Sequence, residues 1–259
     1  MISVPILSGI DLCCVYGLQC PSSPGGDYLK AYPLMMLIHD KPVLVVGGGR
    51  VALRKVRSLL ECGAQVTIIS PEVEDELRDL AAQGRIRWIA ESFGEGAQES
   101  ILNPVLIFGA TDQRDVNVRT SRFAAERGVP CNIADVPELC TFTVPAVVAR
   151  GDLTIAVSTG GASPALARRI RERLEVEFGP EYEKLTRILA GVREALIPLG
   201  YSSDRNRELF FRIVDSGLIE AVRANDWQRA VSALRSYLPE GVAVEQIVRE
   251  AVDHGAGED

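Results

Sequence analysis

A glycine-rich turn between a predicted strand and a predicted helix constrains the fold of this chain more than any other feature. The apolar run at 42–46 suits a strand buried on both faces, and the apolar residues of 51–60 recur at helical spacing up to Gly63. The segment GGGRVA at 47–52 satisfies the pattern G-x-G-x-x-A, whose glycines permit a tight turn and let backbone N–H groups approach a pyrophosphate. Because a helix N-terminus adds partial positive charge, this succession of strand, glycine turn and helix predicts dinucleotide binding. The alternative is a glycine turn with only a structural role. The residues expected at the cofactor are Gly47, Gly49, Arg50 and Val51.

Strands and helices alternate along the next 80 residues. The patterns predict strands at 65–70, 85–90, 105–110 and 129–134 and helices at 72–83 and 114–127. This alternation is typical of a doubly wound, Rossmann-like parallel sheet with right-handed crossovers.

The pattern changes beyond residue 141. Two strands at 142–148 and 153–157 precede a long helix with Ser163 as its N-cap. Residues 181–254 are helical in pattern, with breaks at 198–203 and 239–241. The expected fold class is therefore α/β, with a Rossmann-like parallel-sheet domain, a central α+β region and a C-terminal helical domain.

Composition excludes several classes of protein. Apolar residues make up 47% and charged residues 24% of the chain, as in ordinary globular proteins. The net charge of −7 argues against general nucleic-acid binding, and no apolar run reaches the roughly 18 residues of a membrane span. The six cysteines form no CxxC pair, which is typical of a reducing cytoplasm. We expect residues 1–31 to be a disordered extension or an over-long translation start.

Two further strand ends are candidates for contact with the cofactor. The second strand ends at Ser70-Pro71-Glu72, where an acid commonly binds a ribose, and the absence of arginine there favours NAD over NADP. Glu72 fits equally well as a first-turn acid of the next helix. The fourth strand ends at Ala110-Thr111-Asp112, whose small residues leave room for the nicotinamide-side ribose. Thr111 or Asp112 could instead cap the helix that begins near Arg114.

Several segments together resemble a known family. They are YPLMMLIHDKPVLVVGGGRVALRK, FGATDQRDVN and CNIADVPELCTFTVPAVVARGDLTIAVSTGGASPALARRIRE. Their order and spacing resemble the precorrin-2 dehydrogenase and sirohydrochlorin ferrochelatase family, which includes the N-terminal part of siroheme synthase and stand-alone relatives. The resemblance covers residues 32–180 well and the remainder more loosely.

The resemblance implies an activity and an organisation. Members oxidise precorrin-2 to sirohydrochlorin with NAD, many also insert ferrous iron to give siroheme, and they form homodimers. It implies an NAD-binding domain at 32–140, a dimerisation region at 141–180 and a helical domain at 181–259.

The resemblance also implies a catalytic aspartate, Asp135. Loss of a hydride from the macrocycle leaves a proton to be removed, and a carboxylate beside the nicotinamide could take it. The alternative is a turn residue before Val136-Pro137. Asn132, in the same Asn-x-x-Asp strand end, is expected to contact the substrate.

A second segment is expected to bind substrate. The turn formed by Ser158, Thr159, Gly160 and Gly161 could present backbone amides to a carboxylate, or it could be a plain connection. Residues 150–173 carry a net charge of +3, which suits a substrate with eight carboxylates, and Arg168 is the arginine we expect to face it. Some of this charge could equally be solvated surface.

No resident metal site is expected, because the only histidines, His39 and His254, lie near no ligand cluster. The alternative functions are an NAD-binding regulatory sensor without catalysis and a generic hydroxyacid dehydrogenase. The second would need a lysine or histidine base between 131 and 180, and the sequence has neither there. We expect a cytoplasmic enzyme with no nucleic-acid or membrane partner.

Overall fold

The computed structural model describes residues 31–94, 96 and 103–253. The contacts between residues divide the chain into two compact units, and the boundary in the sequence lies between Val144 and Pro145. The expected N-terminal extension, apart from its last residue, and His254 lie outside the described residues. None of the helices in the described ranges is long and apolar enough to cross a membrane.

The first unit is built on a five-stranded parallel sheet. Its strands are β1 (Pro42–Val46), β2 (Gln65–Ile69), β3 (Arg87–Ile89), β4 (Leu106–Gly109) and β5 (Cys131–Ile133), joined by helices α1 (Arg50–Glu61), α2 (Asp75–Ala82) and α3 (Arg114–Glu126). The strand order β3-β2-β1-β4-β5 places the change of winding direction between β1 and β4. The predicted doubly wound sheet is confirmed, and ligands of such sheets bind at the carboxyl ends of the strands beside this point.

The sheet is covered on both faces by apolar side chains. Val43 and Val45 of β1 belong to one buried cluster, and Leu44 and Val46 belong to the other. Because successive strand residues point to opposite faces, a strand covered on both sides must be apolar throughout. This requirement explains the uninterrupted apolar run before the glycines.

The second unit combines a hairpin with a helical bundle. It contains the antiparallel strands β6 (Ala146–Arg150) and β7 (Leu153–Val157) and the helices α4 (Pro164–Glu177), α5 (Glu181–Leu196), α6 (Ser203–Val214), α7 (Leu218–Arg223), α8 (Trp227–Arg235) and α9 (Val244–Asp253). The bundle has its own core, in which Ile188, Val192, Ile213 and Leu234 are almost fully buried. The predicted central α+β region and helical domain are both present.

The strand predicted at 142–148 and the helical region predicted at 181–254 differ from the structure for identifiable reasons. The strand expected from residue 142 begins at Ala146, because Phe142 packs edge-on against Phe108 of β4 and Pro145 has no N–H to donate. The helical region has two further breaks, at Gly217 and Asn225, both of which have positive φ angles. Glycine and asparagine adopt this left-handed conformation at the lowest cost, so they end helices.

Candidate active site

The three glycines after β1 have different surroundings. Gly47 has φ +111°, and a Cβ there would overlap the carbonyl oxygen of Ala110. A Cβ on Gly48 would overlap the carbonyl oxygen of Glu72, whereas a Cβ on Gly49 would meet nothing within 4 Å. The first two glycines therefore allow the loops after β4 and β2 to close around the turn, and the third leaves open space in front of α1.

The N-terminus of α1 is available to an anion. Its N-cap is Gly49, which supplies no side-chain hydrogen bond, and its first turn contains no acidic residue. The first hydrogen bond of the helix runs from Leu53 N to Gly49 O, at 3.0 Å, so the N–H groups of Arg50 and Val51 precede it. Unsatisfied amides and open space at a helix N-terminus fit the pyrophosphate of a dinucleotide.

The end of β2 forms a compact turn. Ser70 Oγ donates to the carbonyl of Glu72 at 2.6 Å, and the indole N–H of Trp88 donates to the carbonyl of Ser70 at 2.9 Å. Pro71 and the Glu72 side chain are exposed. Because α2 begins only at Asp75, the reading of Glu72 as a first-turn acid is wrong, and its contact with a ribose stays a prediction.

The end of β4 lies against the glycine turn. Ala110 N donates to Val46 O at 2.7 Å, and Thr111 Oγ1 accepts from Gln113 N at 3.2 Å. Gln113 is the N-cap of α3, so the suggestion that Thr111 or Asp112 caps this helix is wrong. Thr111 instead closes the turn ahead of the helix, and the cofactor roles of all three strand-end residues stay predictions.

Asn117 on α3 was missed by the sequence reasoning. Its side-chain amide is buried and donates to the carbonyl of Thr111 at 2.9 Å, which fixes the loop after β4. Its Oδ1 has no hydrogen-bond partner among the described residues. The sequence contains a signal for this role, namely a polar residue at a buried helix position within the segment FGATDQRDVN.

Asp135 follows β5 with an exposed side chain and a φ angle of +60°. The turn is held by Ala134 N, which donates to Gly109 O at 2.8 Å, and by Val136 N, which donates to Ile133 O at 3.4 Å. The residue is therefore a turn residue, as the alternative interpretation expected. The same turn exposes its carboxylate at the carboxyl edge of the sheet, so the two interpretations are compatible.

Asn132 is held by hydrogen bonds inside the first unit. Its Oδ1 accepts from Lys55 Nζ at 2.9 Å, and its Nδ2 donates to Phe142 O at 3.1 Å. These bonds connect α1, β5 and the segment after β5, and the predicted substrate contact of Asn132 stays a prediction. Sequence reasoning overlooked Lys55, although a lysine between the buried residues Ala52 and Val56 stands out on an apolar helix face.

The two cysteines that flank Asp135 in sequence are free thiols. Burial raises the pKa of Cys131 to about 12, so this thiol is neutral. Burial also raises the pKa of Cys140, whose sulfur contacts Ile133 N at 3.1 Å and Ile133 O at 3.2 Å. In the described part of the chain, no group of three His, Cys, Asp or Glu side chains could hold a metal ion.

The glycine turn of the second unit is held by its own side chains. Ser158 Oγ accepts from Gly160 N at 3.2 Å, and Thr159 Oγ1 is 3.0 Å from both N and O of Ser163. Ser163 caps α4 by accepting from Leu166 N, as predicted. Gly160 and Gly161 have φ angles of +61° and +85°. The substrate contacts expected of this turn stay predictions.

The arginines of α4 are partly neutralised by neighbouring acids. Arg168 donates to Glu172 at 2.9 Å, and Arg169 approaches the same carboxylate at 3.3 Å. Arg171 pairs with Glu175. The hydrogen bond from Arg168 lowers the pKa of the Glu172 carboxyl. A substrate carboxylate at Arg168 would therefore compete with Glu172.

Comparisons with known proteins agree with this architecture. A family model described as NAD(P)-binding matches residues 34–146, and one described as sirohaem biosynthesis protein central matches 150–177. The siroheme synthase of Methylobacillus flagellatus is 41% identical over 211 residues, which are 81% of this chain and 44% of that protein. The siroheme synthase of Methylococcus capsulatus is 42% identical over 168 residues, 65% of this chain and 34% of that protein. The chain thus spans less than half the length of these relatives.

A solved structure extends the likeness to the whole of another chain. SirC, precorrin-2 dehydrogenase, matches with a TM-score of 0.60 at 28% identity, over 86% of this chain and 100% of that one. Sequence and fold therefore agree: this chain is similar to the precorrin-2 dehydrogenase SirC and to part of the siroheme synthases.

Proposed function

We propose that this protein is an NAD-dependent dehydrogenase that oxidises precorrin-2 to sirohydrochlorin in siroheme biosynthesis. The observation that carries the proposal is the exposed Asp135 carboxylate at the carboxyl edge of a sheet whose glycine turn leaves an uncapped helix N-terminus open. The relationship to siroheme synthases and to SirC supports it. A protein that only senses NAD has no need for an exposed acid at this position.

Residues of the first unit bind the cofactor and accept the proton. The backbone amides of Gly49, Arg50 and Val51 bind the pyrophosphate, while 70–72 and 110–112 contact the two riboses. NAD, when bound, supplies the acceptor for the hydride. Asp135 accepts the proton that leaves the neighbouring carbon as the new double bond forms, and it then returns the proton to solvent. Its carboxylate thereby completes the loss of two hydrogens from the macrocycle.

Other residues contact the substrate. The amides of the 158–161 turn and the Arg168 guanidinium bind substrate carboxylates, and Asn132 lies beside the ring.

The protein is a homodimer through 141–180, and Val147 and Val176, which are exposed there, support this. Ferrous iron is a second substrate that enters the finished sirohydrochlorin, whose pyrrole nitrogens supply the ligands as two N–H protons are released to solvent. The free thiols support a cytoplasmic location.

An anaerobic absorbance assay tests the proposal. Enzymatically prepared precorrin-2 and NAD are mixed with the protein, and ferrous iron is added in a second step. The sirohydrochlorin spectrum should grow together with NADH absorbance, and siroheme should then form faster than in a protein-free control. NAD binding without any change in the tetrapyrrole spectrum would contradict the dehydrogenase and favour the sensor, whereas failure of the second step alone would remove only the iron insertion.

A further inference from the structure

Lys55 is a half-buried cation in the first unit that the proposed chemistry leaves without a role. It lies on the face of α1 that packs on the sheet, between the buried residues Ala52 and Val56. Its Nζ donates to Asn132 Oδ1 at 2.9 Å and lies 4.8 Å from the centre of the Phe108 ring. Burial of a lysine costs free energy that an exposed position would avoid, so the fold retains a cation here at a cost.

The partner of Lys55 is connected to the turn that carries Asp135. Asn132 Nδ2 lies 3.7 Å from the sulfur of Cys140. That sulfur contacts the carbonyl oxygens of Ile133 at 3.2 Å and Val136 at 3.3 Å, which are the residues on either side of Ala134-Asp135. A continuous set of polar contacts therefore runs from Lys55 to both ends of the turn.

We propose that Lys55 is a positioning residue for Asp135: its ammonium group holds Asn132 and, through it, the 133–140 turn that carries the carboxylate. The effect of this positioning on catalysis rests on the proposed function, whereas the ordering of the turn by Lys55 does not depend on it. The group acts through Asn132 and the turn and is assigned no contact with substrate.

The charges around Lys55 are consistent with this role. Burial lowers its pKa, and the neighbouring Arg54 on α1 lowers it further, whereas Cys140 and Asp135 raise it. The positioning charge should therefore be lost at a lower pH than for an exposed lysine. An arginine at this position would stay charged at any pH at which the protein is folded.

Three variants of the full chain test the proposal. Lys55→Met removes the charge and the donor at similar length, and Lys55→Arg keeps the charge. Lys41→Met is the matched control, because Lys41 is an exposed lysine in the same unit. Backbone hydrogen exchange over 132–142 is measured by mass spectrometry without substrate, and kcat and KM for NAD are measured with precorrin-2 across pH.

The expected results separate positioning from general structure. Lys55→Met should accelerate exchange over 132–142 and lower kcat at least about tenfold with KM for NAD changed less than about twofold. Lys55→Arg should restore most of kcat and move the alkaline loss of activity to higher pH, and Lys41→Met should match the unaltered protein in every readout.

Two results would overturn the proposal. One is unchanged exchange over 132–142 in Lys55→Met, which would show that the lysine holds nothing. The other is accelerated exchange with unchanged kcat, which would show that the turn does not position the reacting carboxylate. If the unaltered protein does not oxidise precorrin-2, the proposed function fails while the exchange measurement still decides whether Lys55 orders the turn.

Discussion

Asp135 adopts a backbone conformation that most residues avoid, with φ at +60°. A left-handed conformation costs a non-glycine residue roughly 1 kcal/mol, although aspartate and asparagine tolerate it better than most. Glycine would satisfy the turn at lower cost. The presence of an exposed carboxylate in a strained position is the pattern expected of a residue kept for its chemistry.

Replacing Asp135 by asparagine tests this at the residue scale. Asparagine tolerates the same backbone conformation, so the free energy of unfolding should change by less than about 0.5 kcal/mol. Because the amide cannot accept the proton, kcat should fall at least about 100-fold, while the Kd for NAD measured by calorimetry should stay unchanged.

Glu138→Gln is the matched control, since Glu138 is an exposed acid in the next turn. It should leave kcat unchanged. Full turnover by Asp135→Asn would remove this carboxylate from the mechanism.

At the scale of elements, β1, the glycine turn and α1 place the cofactor site. The loops after β2 and β4 close on Gly48 and Gly47, and the open space remains only in front of Gly49 within this turn. Gly47 and Gly48 therefore allow the loops to pack closely, whereas Gly49 leaves space for a bound ligand.

The substitutions Gly47→Ala and Gly49→Ala should consequently differ. Gly47→Ala forces a Cβ into the Ala110 carbonyl at a positive φ, so the free energy of unfolding should drop by at least about 2 kcal/mol in urea titrations. Gly49→Ala should cost less than about 1 kcal/mol, because only a glycine N-cap is lost. It should nevertheless raise the Kd for NAD at least about tenfold, because the methyl group enters the space of the pyrophosphate. Equal effects of the two on stability would contradict the different roles of the two glycines.

Local patterns predict the elements of this site, but its contacts depend on distant residues. The alternation of strands with helices made the parallel sheet predictable, and the glycine turn made its ligand edge predictable. The hydrogen bond between Lys55 and Asn132 joins residues 77 positions apart, so no local pattern encodes it. The late start of β6 likewise follows from Phe142 packing on Phe108, a tertiary contact that overrides the strand propensity of 142–145.

At the scale of the whole molecule, the chain has two units with separate buried cores. The second unit exposes Val147, Leu166 and Val176, at 40%, 53% and 86% of their surfaces. Burial of such side chains against a second copy would remove apolar area from water. The proposed dimerisation region at 141–180 contains all three.

Sedimentation equilibrium measures the assembly directly. The expected mass is twice the 28.1 kDa of one chain. A Val147→Glu variant should weaken the association, because it would bury a charge at the proposed interface. A single-chain mass for the unaltered protein at micromolar concentration would contradict the dimer.

The measurement that tests the central claim most directly is the ratio of products in an anaerobic reaction with limiting precorrin-2 and excess NAD. One NADH is expected for each sirohydrochlorin formed, because a single hydride and a single proton leave each macrocycle. Sirohydrochlorin formed without NADH, or NADH formed without sirohydrochlorin, would contradict an NAD-dependent precorrin-2 dehydrogenase.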